Sequence, residues 1–287
     1  LIAKNEQSVL SRIPHDWSQE IESIAKIVER NVSELVCYNL AYAIYGFCTS
    51  IVAQDESGHL YHARNLDFGD SYNVTSDGGS QLTKLLRNIA INVNMVDKNG
   101  DIVYSQVSYA GFVGLLTGVR KGGITITVDS RFDTNLDRYL LEWITNPNDE
   151  SQALTFVTRD AIENHPVFDQ AADFIMNTSE VGPAYIILGG TKKNEGAVIT
   201  LGPNMTLINE WTIPNALPAN NATQPPYYVL ETNYDHWNPP PPTDDRRYPA
   251  EDCMAEIGES GIDLSTLFNV LNGIPNRNLG TVYTALM

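Results

Sequence analysis

The sequence lacks the short motifs that mark several large enzyme classes. It has no glycine-rich phosphate loop, no Cys-x-x-Cys, no His-Glu-x-x-His and no Gly-x-Ser-x-Gly. These absences argue against phosphate-loop nucleotide binding, a paired-cysteine redox or zinc site, a zinc protease and an α/β-hydrolase. Of the five histidines only His59 and His62 lie close together, and on a strand their spacing directs them to opposite faces. We therefore expect no metal ion and no other cofactor.

Basic residues and long apolar runs are also scarce. Lys and Arg number 18 against 35 Asp and Glu, which gives a net charge of −17 and a pI near 4.5. Such a surface repels phosphate backbones and anionic lipid headgroups at neutral pH, so we expect no nucleic-acid partner. Protonation of carboxylates at low pH would reduce this self-repulsion, which is consistent with an acidic compartment. The chain has no run of apolar residues long enough for a membrane-spanning helix.

Cysteine is limited to three residues, Cys37, Cys48 and Cys253, which cannot all pair within the chain. In a secreted protein an odd count indicates a free reactive thiol or a partner elsewhere. The chain starts at Leu1 without a signal sequence, which predicts a trimmed or processed product. Five Asn-x-Ser/Thr sequons favour the secretory route and are predicted glycosylation sites. They are Asn31, Asn73, Asn177, Asn204 and Asn221.

Hydrophobic periodicity predicts alternating blocks of helices and hairpin-linked strands. Residues 1–15 are predicted to be a tail or linker, and the Gly-, Ser-, Asp- and Asn-rich residues 69–83 a surface loop. Helices are predicted at about 18–30, 34–45, 248–258 and 263–272, with three more between 136 and 178. Because hairpins join most strands, the sheets should be antiparallel. The expected fold class is α+β, with two sheets stacked face to face and helices outside.

One predicted hairpin carries a candidate nucleophile. Cys48 opens its first strand, the turn lies at residues 55–58, and Arg64 and Asp67 close its second strand. The start of one antiparallel strand lies beside the end of its partner, so these three residues can meet. A guanidinium beside a cysteine favours the thiolate and can activate it for catalysis. A buried cysteine next to a structural ion pair explains the same pattern.

Two polar groups further along the chain are also candidates. Asn233 lies at the end of a predicted strand, and Arg246 lies in the charged run 244–247. An asparagine amide can donate to an oxyanion, and an arginine can orient a carbonyl or carboxylate. A turn-forming asparagine and a solvated charge cluster are the alternative explanation.

From about residue 35 to the end, the chain resembles the acid ceramidase and N-acylethanolamine-hydrolysing acid amidase family. The stretches that carry the resemblance are 48–52, 62–67, 109–118, 184–190, 231–237, 244–247 and 281–286. The resemblance implies an N-terminal-nucleophile cysteine hydrolase related to the choloylglycine hydrolases, with an αββα sandwich. Such proteins are zymogens that cut their own chain before the nucleophile. Here the bond would be Phe47–Cys48, and residues 1–47 (helical, truncated at the start) and 48–287 would form a heterodimer.

The resemblance also implies a role for each candidate residue. Cys48 would be the nucleophile, and its freed α-amine would be the base, so that no histidine is needed. Asn233 would hold the oxyanion and Asp67 would orient the amine. Arg64 would hold thiol and carboxylate in place, and Arg246 would support the site.

The resemblance has departures that bear on processing. Ser130 stands where the family carries a glutamate associated with self-cleavage. Cys253 resembles the cysteine of acid ceramidase that links the two subunits, so its disulfide partner would lie outside this segment, and we expect Cys37 to be a buried thiol. Loop 69–83 and Cys253 favour ceramidase, whereas 52–55 and 231–237 favour the N-acylethanolamine amidase.

The expected function is hydrolysis of a lipid amide in the lysosome, with secretion also expected. The predicted reaction belongs to sphingolipid metabolism: ceramide would give a sphingoid base and a fatty acid. The alternatives are an N-acylethanolamine amidase and an unprocessed, catalytically silent lipid-binding homologue. A lipid-presenting activator protein or a membrane surface is the further expected partner.

Overall fold

The computed structural model describes residues 1–40, 46–68, 80–133, 135–216 and 226–287. The helices within these ranges are α1 Ile2–Leu10, α2 His15–Ile27, α3 Val32–Leu40, α4 Gln81–Ile89, α5 Leu136–Thr145, α6 Leu154–Asn164, α7 Phe168–Met176, α8 Arg247–Ile257 and α9 Leu264–Asn272. The strands are β1 Gly46–Gln54, β2 Leu60–Phe68, β3 Ala90–Val96, β4 Ile102–Tyr109, β5 Thr117–Val119, β6 Thr125–Ser130, β7 Ala184–Gly189, β8 Gly196–Leu201, β9 Ile208–Thr212, β10 Tyr228–Glu231 and β11 Thr281–Leu286. No helix of the described ranges is long and apolar enough to cross a membrane.

The strands form two antiparallel sheets. One has four strands in the order β10-β1-β2-β11, and the other has seven in the order β3-β4-β5-β6-β7-β8-β9. Apolar side chains from both sheets share a cluster: Val52 and Val229 of the small sheet pack with Ile187 and Val198 of the large sheet. The sheets therefore lie face to face, as predicted.

Helices cover the outer faces of both sheets. Helices α8 and α9 bury side chains such as Met254 and Leu271 against Ile51 of the small sheet. Helices α6 and α7 bury Val157 and Ile175 against the large sheet. Because each helix has one apolar stripe, covering a sheet removes that stripe from water. The predicted αββα sandwich is confirmed.

Strand alternation sorts polar side chains in the small sheet. On β2, Arg64 points between the two sheets, where it contacts Val128 of β6. Its neighbour Asn65 points the other way and donates to the carbonyl of Leu271 on α9. Successive side chains on a strand face opposite sides, so the inter-sheet layer receives the polar side chains of alternate positions.

Two local predictions were wrong. Residues 1–15 are not a tail or linker, because Ile2–Leu10 is helical and buries Val9 and Leu10. The predicted loop contains a helix in its described part, since Ser80 accepts from the backbone of Leu82 and caps α4. Residues 69–79, and residues 41–45 of the predicted second helix, lie outside the described ranges. Helices α1 and α4 are short, so their hydrophobic periodicity is a weak signal in the sequence. Packing against the rest of the protein still stabilises them.

Glu180 provides a test of buried charge in the fold. It is fully buried before β7, and burial raises its pKa to about 8. A folded-state pKa above the unfolded value means that its stabilising contribution is complete below pH ~4 and is lost as the pH rises to about 8. Glu180→Gln should therefore raise the free energy of unfolding at pH 8 by roughly 2–4 kcal/mol and change it little at pH 5. Urea denaturation at both pH values measures this.

The exposed Glu56→Gln is the matched control, because its side chain is solvated in the folded protein. A Glu180→Gln effect of the same size at pH 5 and pH 8 would show that the buried carboxyl group does not titrate in this range.

Candidate active site

Cys48 lies between the two sheets. It is the third residue of β1 and is fully buried among Leu66, Leu116 and Val128. The hairpin register pairs Cys48 with Leu66 and Ser50 with Arg64. The thiol is therefore shielded from solvent, and the side chain of Arg64 on the neighbouring strand lies close enough to contact it.

Arg64 contacts the thiol directly. Its Nη2 donates to Cys48 Sγ at 2.8 Å, and the same nitrogen lies 3.2 Å from Asp129 Oδ1. Its Nη1 donates to Thr117 Oγ1 at 2.7 Å. Arg64 and Asp129 are both fully buried, so the ion pair offsets the cost of placing each charge away from water. A guanidinium so close to sulfur favours the thiolate.

Asn233 and Arg246 hold the backbone of Cys48. The Cys48 N–H donates to Asn233 Oδ1 at 2.7 Å, and Arg246 Nη2 donates to the same oxygen at 2.7 Å. Arg246 Nη1 also donates to the Cys48 carbonyl oxygen. The Nδ2 of Asn233 donates to Ser130 O at 2.7 Å and to Gly46 O at 3.3 Å. The oxyanion role of Asn233 therefore stays a prediction, because its amide donors bind backbone carbonyls here.

Asp67 approaches from the opposite face of the sheet. Three positions separate it from Arg64, so strand alternation turns the two side chains apart. Its Oδ2 accepts from Asn278 Nδ2 at 2.8 Å and lies 4.0 Å from Arg246 Nη1. Burial raises the pKa of Asp67, against hydrogen bonds and nearby arginines that lower it. The structure connects Asp67 to Cys48 through Arg246, and its role in orienting the amine stays a prediction.

A cleft opens beside the bond between Phe47 and Cys48. Its volume is about 390 Å³, and its wall includes Phe47, Phe132, Asn233 and Asp235. Phe47 is 38% exposed, and its ring centroid lies 4.9 Å from that of Phe132. Because Phe47 lines the cleft and Cys48 is buried, the peptide bond that joins them lies between the cleft and the thiol. The cleft is lined by both aromatic and polar side chains, so it offers apolar and hydrogen-bonding contacts to a ligand.

His62 is buried and neutral in this environment. Burial lowers the pKa of His62 to about 3, and its ring nitrogens contact Thr125 and Thr127 at 2.9 and 3.0 Å. A histidine with so low a pKa is a poor base near neutral pH. Within the described ranges no group of three or more His, Cys, Asp or Glu residues could hold a metal ion.

Sequence reasoning did not identify Asp129 or Ser50 as site residues. Ser50 Oγ donates to Asp129 Oδ1 at 2.8 Å, and the same oxygen accepts from Arg64. The available signal was the alternation of Thr125, Thr127 and Asp129 on a strand whose other face is apolar. That pattern normally indicates a solvated face, whereas here all three side chains lie in or near the inter-sheet layer.

The other two cysteines and the sequon asparagines of the described ranges lie at the surface. Cys37 is exposed on α3, so the predicted buried thiol is wrong: its side chain lies on the solvent face of that helix. Cys253 is exposed on α8, and its disulfide partner stays a prediction. Three sequon asparagines are exposed, namely Asn31, Asn177 and Asn204, and two lie outside the described ranges, namely Asn73 and Asn221. Exposure is compatible with glycosylation, which also stays a prediction.

The sandwich and the cysteine–arginine site between its sheets define a cysteine amidohydrolase. Residues 48–252 match the family described as linear amide C-N hydrolases, choloylglycine hydrolase family, and the chain belongs to this family. The matched region begins at Cys48. The predicted family and enzyme class are confirmed.

Similar proteins support the same assignment. The chain is 35% identical over 283 residues to acid ceramidase of Homo sapiens, which covers 97% of this chain and 69% of that protein. It is 34% identical over 282 residues to acid ceramidase of Heterocephalus glaber, with the same coverage of 97% and 69%. A solved N-acylethanolamine-hydrolyzing acid amidase ortholog of Caenorhabditis elegans is 34% identical, with a TM-score of 0.67 over 84% of this chain and 92% of that one.

Proposed function

We propose that this chain cuts itself between Phe47 and Cys48 and then hydrolyses lipid amides, with ceramide as the favoured substrate. The observation that carries the proposal is the set of contacts on Cys48. Its sulfur accepts a hydrogen bond from Arg64, and its backbone N–H donates to Asn233. Its carbonyl oxygen accepts from Arg246. All three polar atoms of one residue are thus fixed by buried side chains.

Self-cleavage would be an acyl shift from nitrogen to sulfur. The Cys48 thiolate attacks the carbonyl carbon of Phe47, a carbon–sulfur bond forms, and the bond to the Cys48 nitrogen breaks as that nitrogen takes a proton. Water then hydrolyses the thioester. The products are a carboxylate at Phe47 and a free α-amine at Cys48. Arg64 supports the first step because its charge favours the attacking thiolate.

The cut chain then has a nucleophile and a base in one residue. The α-amine, with a reference pKa of about 7.7–8.0, takes the thiol proton. The thiolate attacks the amide carbonyl of the lipid, the amine product leaves with that proton, and water clears the acyl thioester. Displacement of the Gly46 carbonyl after cutting would leave the Asn233 amide to donate to the oxyanion.

The two halves would remain together as a heterodimer after cutting. Trp17 of α2 stacks on Phe156 of α6 with ring centroids 5.7 Å apart. Arg159 of α6 donates to both carboxylate oxygens of Glu20 at 2.7 Å. These contacts cross the proposed boundary between residues 1–47 and 48–287, and a large apolar contact supports stable association.

The cellular setting follows from the same proposal. We infer a glycosylated lysosomal protein, also secreted, in which Cys253 forms a disulfide outside this segment. Its exposure on α8 and the exposed sequons are compatible with this setting. A lipid-presenting activator protein or a membrane surface would deliver the insoluble substrate.

The C. elegans structure favours one alternative, an N-acylethanolamine amidase that would release ethanolamine. A second alternative is a silent lipid-binding homologue, and Ser130 is the observation that favours it. The Ser130 side chain is buried and its Oγ has no hydrogen-bond partner among the described residues. In this position it offers no carboxylate to assist cutting.

Direct comparison of substrates tests the proposal. Purified cut protein should hydrolyse palmitoyl ceramide with a kcat/KM about tenfold or more above that for palmitoylethanolamide at pH 4.5, because a fixed pocket discriminates leaving amines by about this factor. Liquid chromatography and mass spectrometry of the released palmitate measures both rates, with Cys48→Ala as the blank. The reverse preference would select the ethanolamide alternative, and an uncut chain that hydrolyses neither would select the silent one.

A further inference from the structure

A buried chain of hydrogen bonds crosses from His62 to the candidate nucleophile. His62 Nε2 lies 3.0 Å from Thr127 Oγ1, and Thr127 Oγ1 donates to Ser50 Oγ at 3.0 Å. Ser50 Oγ donates to Asp129 Oδ1 at 2.8 Å. Arg64 Nη2 then lies between Asp129 Oδ1 and Cys48 Sγ. The chain thus joins both sheets and ends at the thiol.

The direction of each bond is fixed by its neighbour. Ser50 has one hydroxyl proton, which it donates to Asp129, so its oxygen accepts from Thr127. Thr127 has then used its own proton, so its oxygen accepts from His62 Nε2–H. Every donor from His62 onward points toward Asp129, whose Oδ1 accepts from Ser50 and Arg64. Such an arrangement stabilises a carboxylate at this position and fixes its orientation.

Several charged or titratable groups act on Asp129. Arg64 on β2 contacts it and also contacts Cys48 on β1. Asp67 on β2, Glu231 on β10 and Arg246 beside α8 act on it through their charges. Burial raises the pKa of Asp129 to about 7, against Arg64, the hydrogen bond from Ser50 and Arg246, which lower it. Its Oδ2 is buried without a hydrogen-bond partner among the described residues. The carboxyl group is therefore held on one oxygen only.

We propose that Asp129 is a positioning residue that holds the Arg64 guanidinium beside Cys48 and, through its own charge, sets how strongly that guanidinium favours the thiolate. The inference rests on the proposed role of Cys48 as nucleophile. Ionised Asp129 competes with the thiolate for the single positive charge of Arg64. Neutral Asp129 leaves that charge to the sulfur.

The consequence is a site that works better in acid. Below a pH of about 7 the protonated form of Asp129 predominates, and the Arg64 charge then acts more strongly on the thiolate. As the pH rises through about 7, Asp129 ionises and the thiol holds its proton more tightly. Hydrolysis should therefore decline on the alkaline side at the pH where Asp129 loses its proton.

The variant Asp129→Asn distinguishes the effect of the negative charge of Asp129 from the effect of its size and hydrogen bonds. The amide oxygen can still accept from Ser50 and Arg64, whereas the negative charge is lost at every pH. The ratio of kcat/KM for Asp129→Asn to that of the unchanged protein should rise about tenfold between pH 6 and pH 8, as expected for loss of one titrating group near pH 7. The Cys48 thiol pKa, read from thiolate absorbance relative to Cys48→Ser versions, should fall by about one unit.

A purely structural role of Asp129 predicts different results for the thiol pKa and for the rate ratio. If Asp129 only anchors Arg64, its replacement loosens the guanidinium, the thiol pKa stays or rises, and the rate ratio is the same at every pH; either result overturns the proposal. The exposed Asp101→Asn should change neither quantity. If Asp129→Asn does not fold, Ser50→Ala serves instead: it removes a bond that favours the carboxylate, so the alkaline limb should move to higher pH. An unmoved limb would overturn the proposal.

The thiol titration keeps this inference separate from the proposed function. It needs no substrate turnover, so it reports on Asp129 even in an inactive chain. Hydrolysis retained by Cys48→Ala would remove the proposed function. An inactive Cys48→Ala protein together with an unshifted Asp129→Asn protein would remove only the role of Asp129.

Discussion

Cys48→Ala should leave the chain uncut and lower lipid-amide hydrolysis by at least about 10⁴-fold, since removal of a covalent nucleophile has an effect of this order. The physical reason is that sulfur forms the bond to the acyl carbon in both reactions, and alanine offers no atom that can do so. Gel mobility measures cutting, and released fatty acid measures hydrolysis.

Cys37→Ala is the matched control for this variant. Cys37 is exposed on α3, away from the inter-sheet layer, so both reactions should continue at the normal rate. Circular dichroism should show that all variants remain folded. Hydrolysis by Cys48→Ala above the background of an empty preparation would exclude Cys48 as the nucleophile.

Asn233→Ala should lower kcat for lipid hydrolysis by about 10²–10³-fold, the usual effect of removing one oxyanion donor. In the uncut chain Asn233 also accepts from the Cys48 N–H and from Arg246 Nη2. Its removal should therefore slow cutting as well, because the backbone of Cys48 loses its support. Steady-state kinetics on protein that has been cut to completion isolates the hydrolytic step.

Asn233→Asp divides the two roles of this side chain. Aspartate keeps an oxygen that accepts from Cys48 and Arg246, but it loses the amide donor. We expect it to cut faster than Asn233→Ala and yet to hydrolyse lipid amides as slowly. The exposed Asn269→Ala on α9 is the control and should match the unchanged protein. Equal hydrolysis by Asn233→Asp and the unchanged protein would contradict the oxyanion role.

The local part of the site was predictable from the sequence. The β1–β2 hairpin has a short turn, and its register follows from that turn and from strand alternation. The contact between Cys48 and Arg64 needs only this hairpin. Asn233 and Arg246 lie about 185 and 198 positions from Cys48, so no local pattern could join them to it, and only the family resemblance linked them.

The inter-sheet layer was not predictable in the same way. Asp129 and Ser50 meet because two sheets of different strand order stack in one particular alignment. Strand periodicity tells which residues share a face, but it does not tell which face is buried against another sheet. The short helix α1 and the exposure of Cys37 were missed for a related reason, because each depends on which helix surface finds a partner.

The identity of the new chain terminus tests the central claim most directly. The protein should be incubated at pH 4.5, and its intact mass and N-terminal sequences should be measured over time. We expect the 31.8 kDa chain to be replaced by two fragments, one of which begins with Cys-Thr-Ser, as lipid-amide hydrolysis appears. Hydrolysis by a chain that is still joined between Phe47 and Cys48, or that is cut at another bond, would contradict the claim that the freed amine of Cys48 is the base.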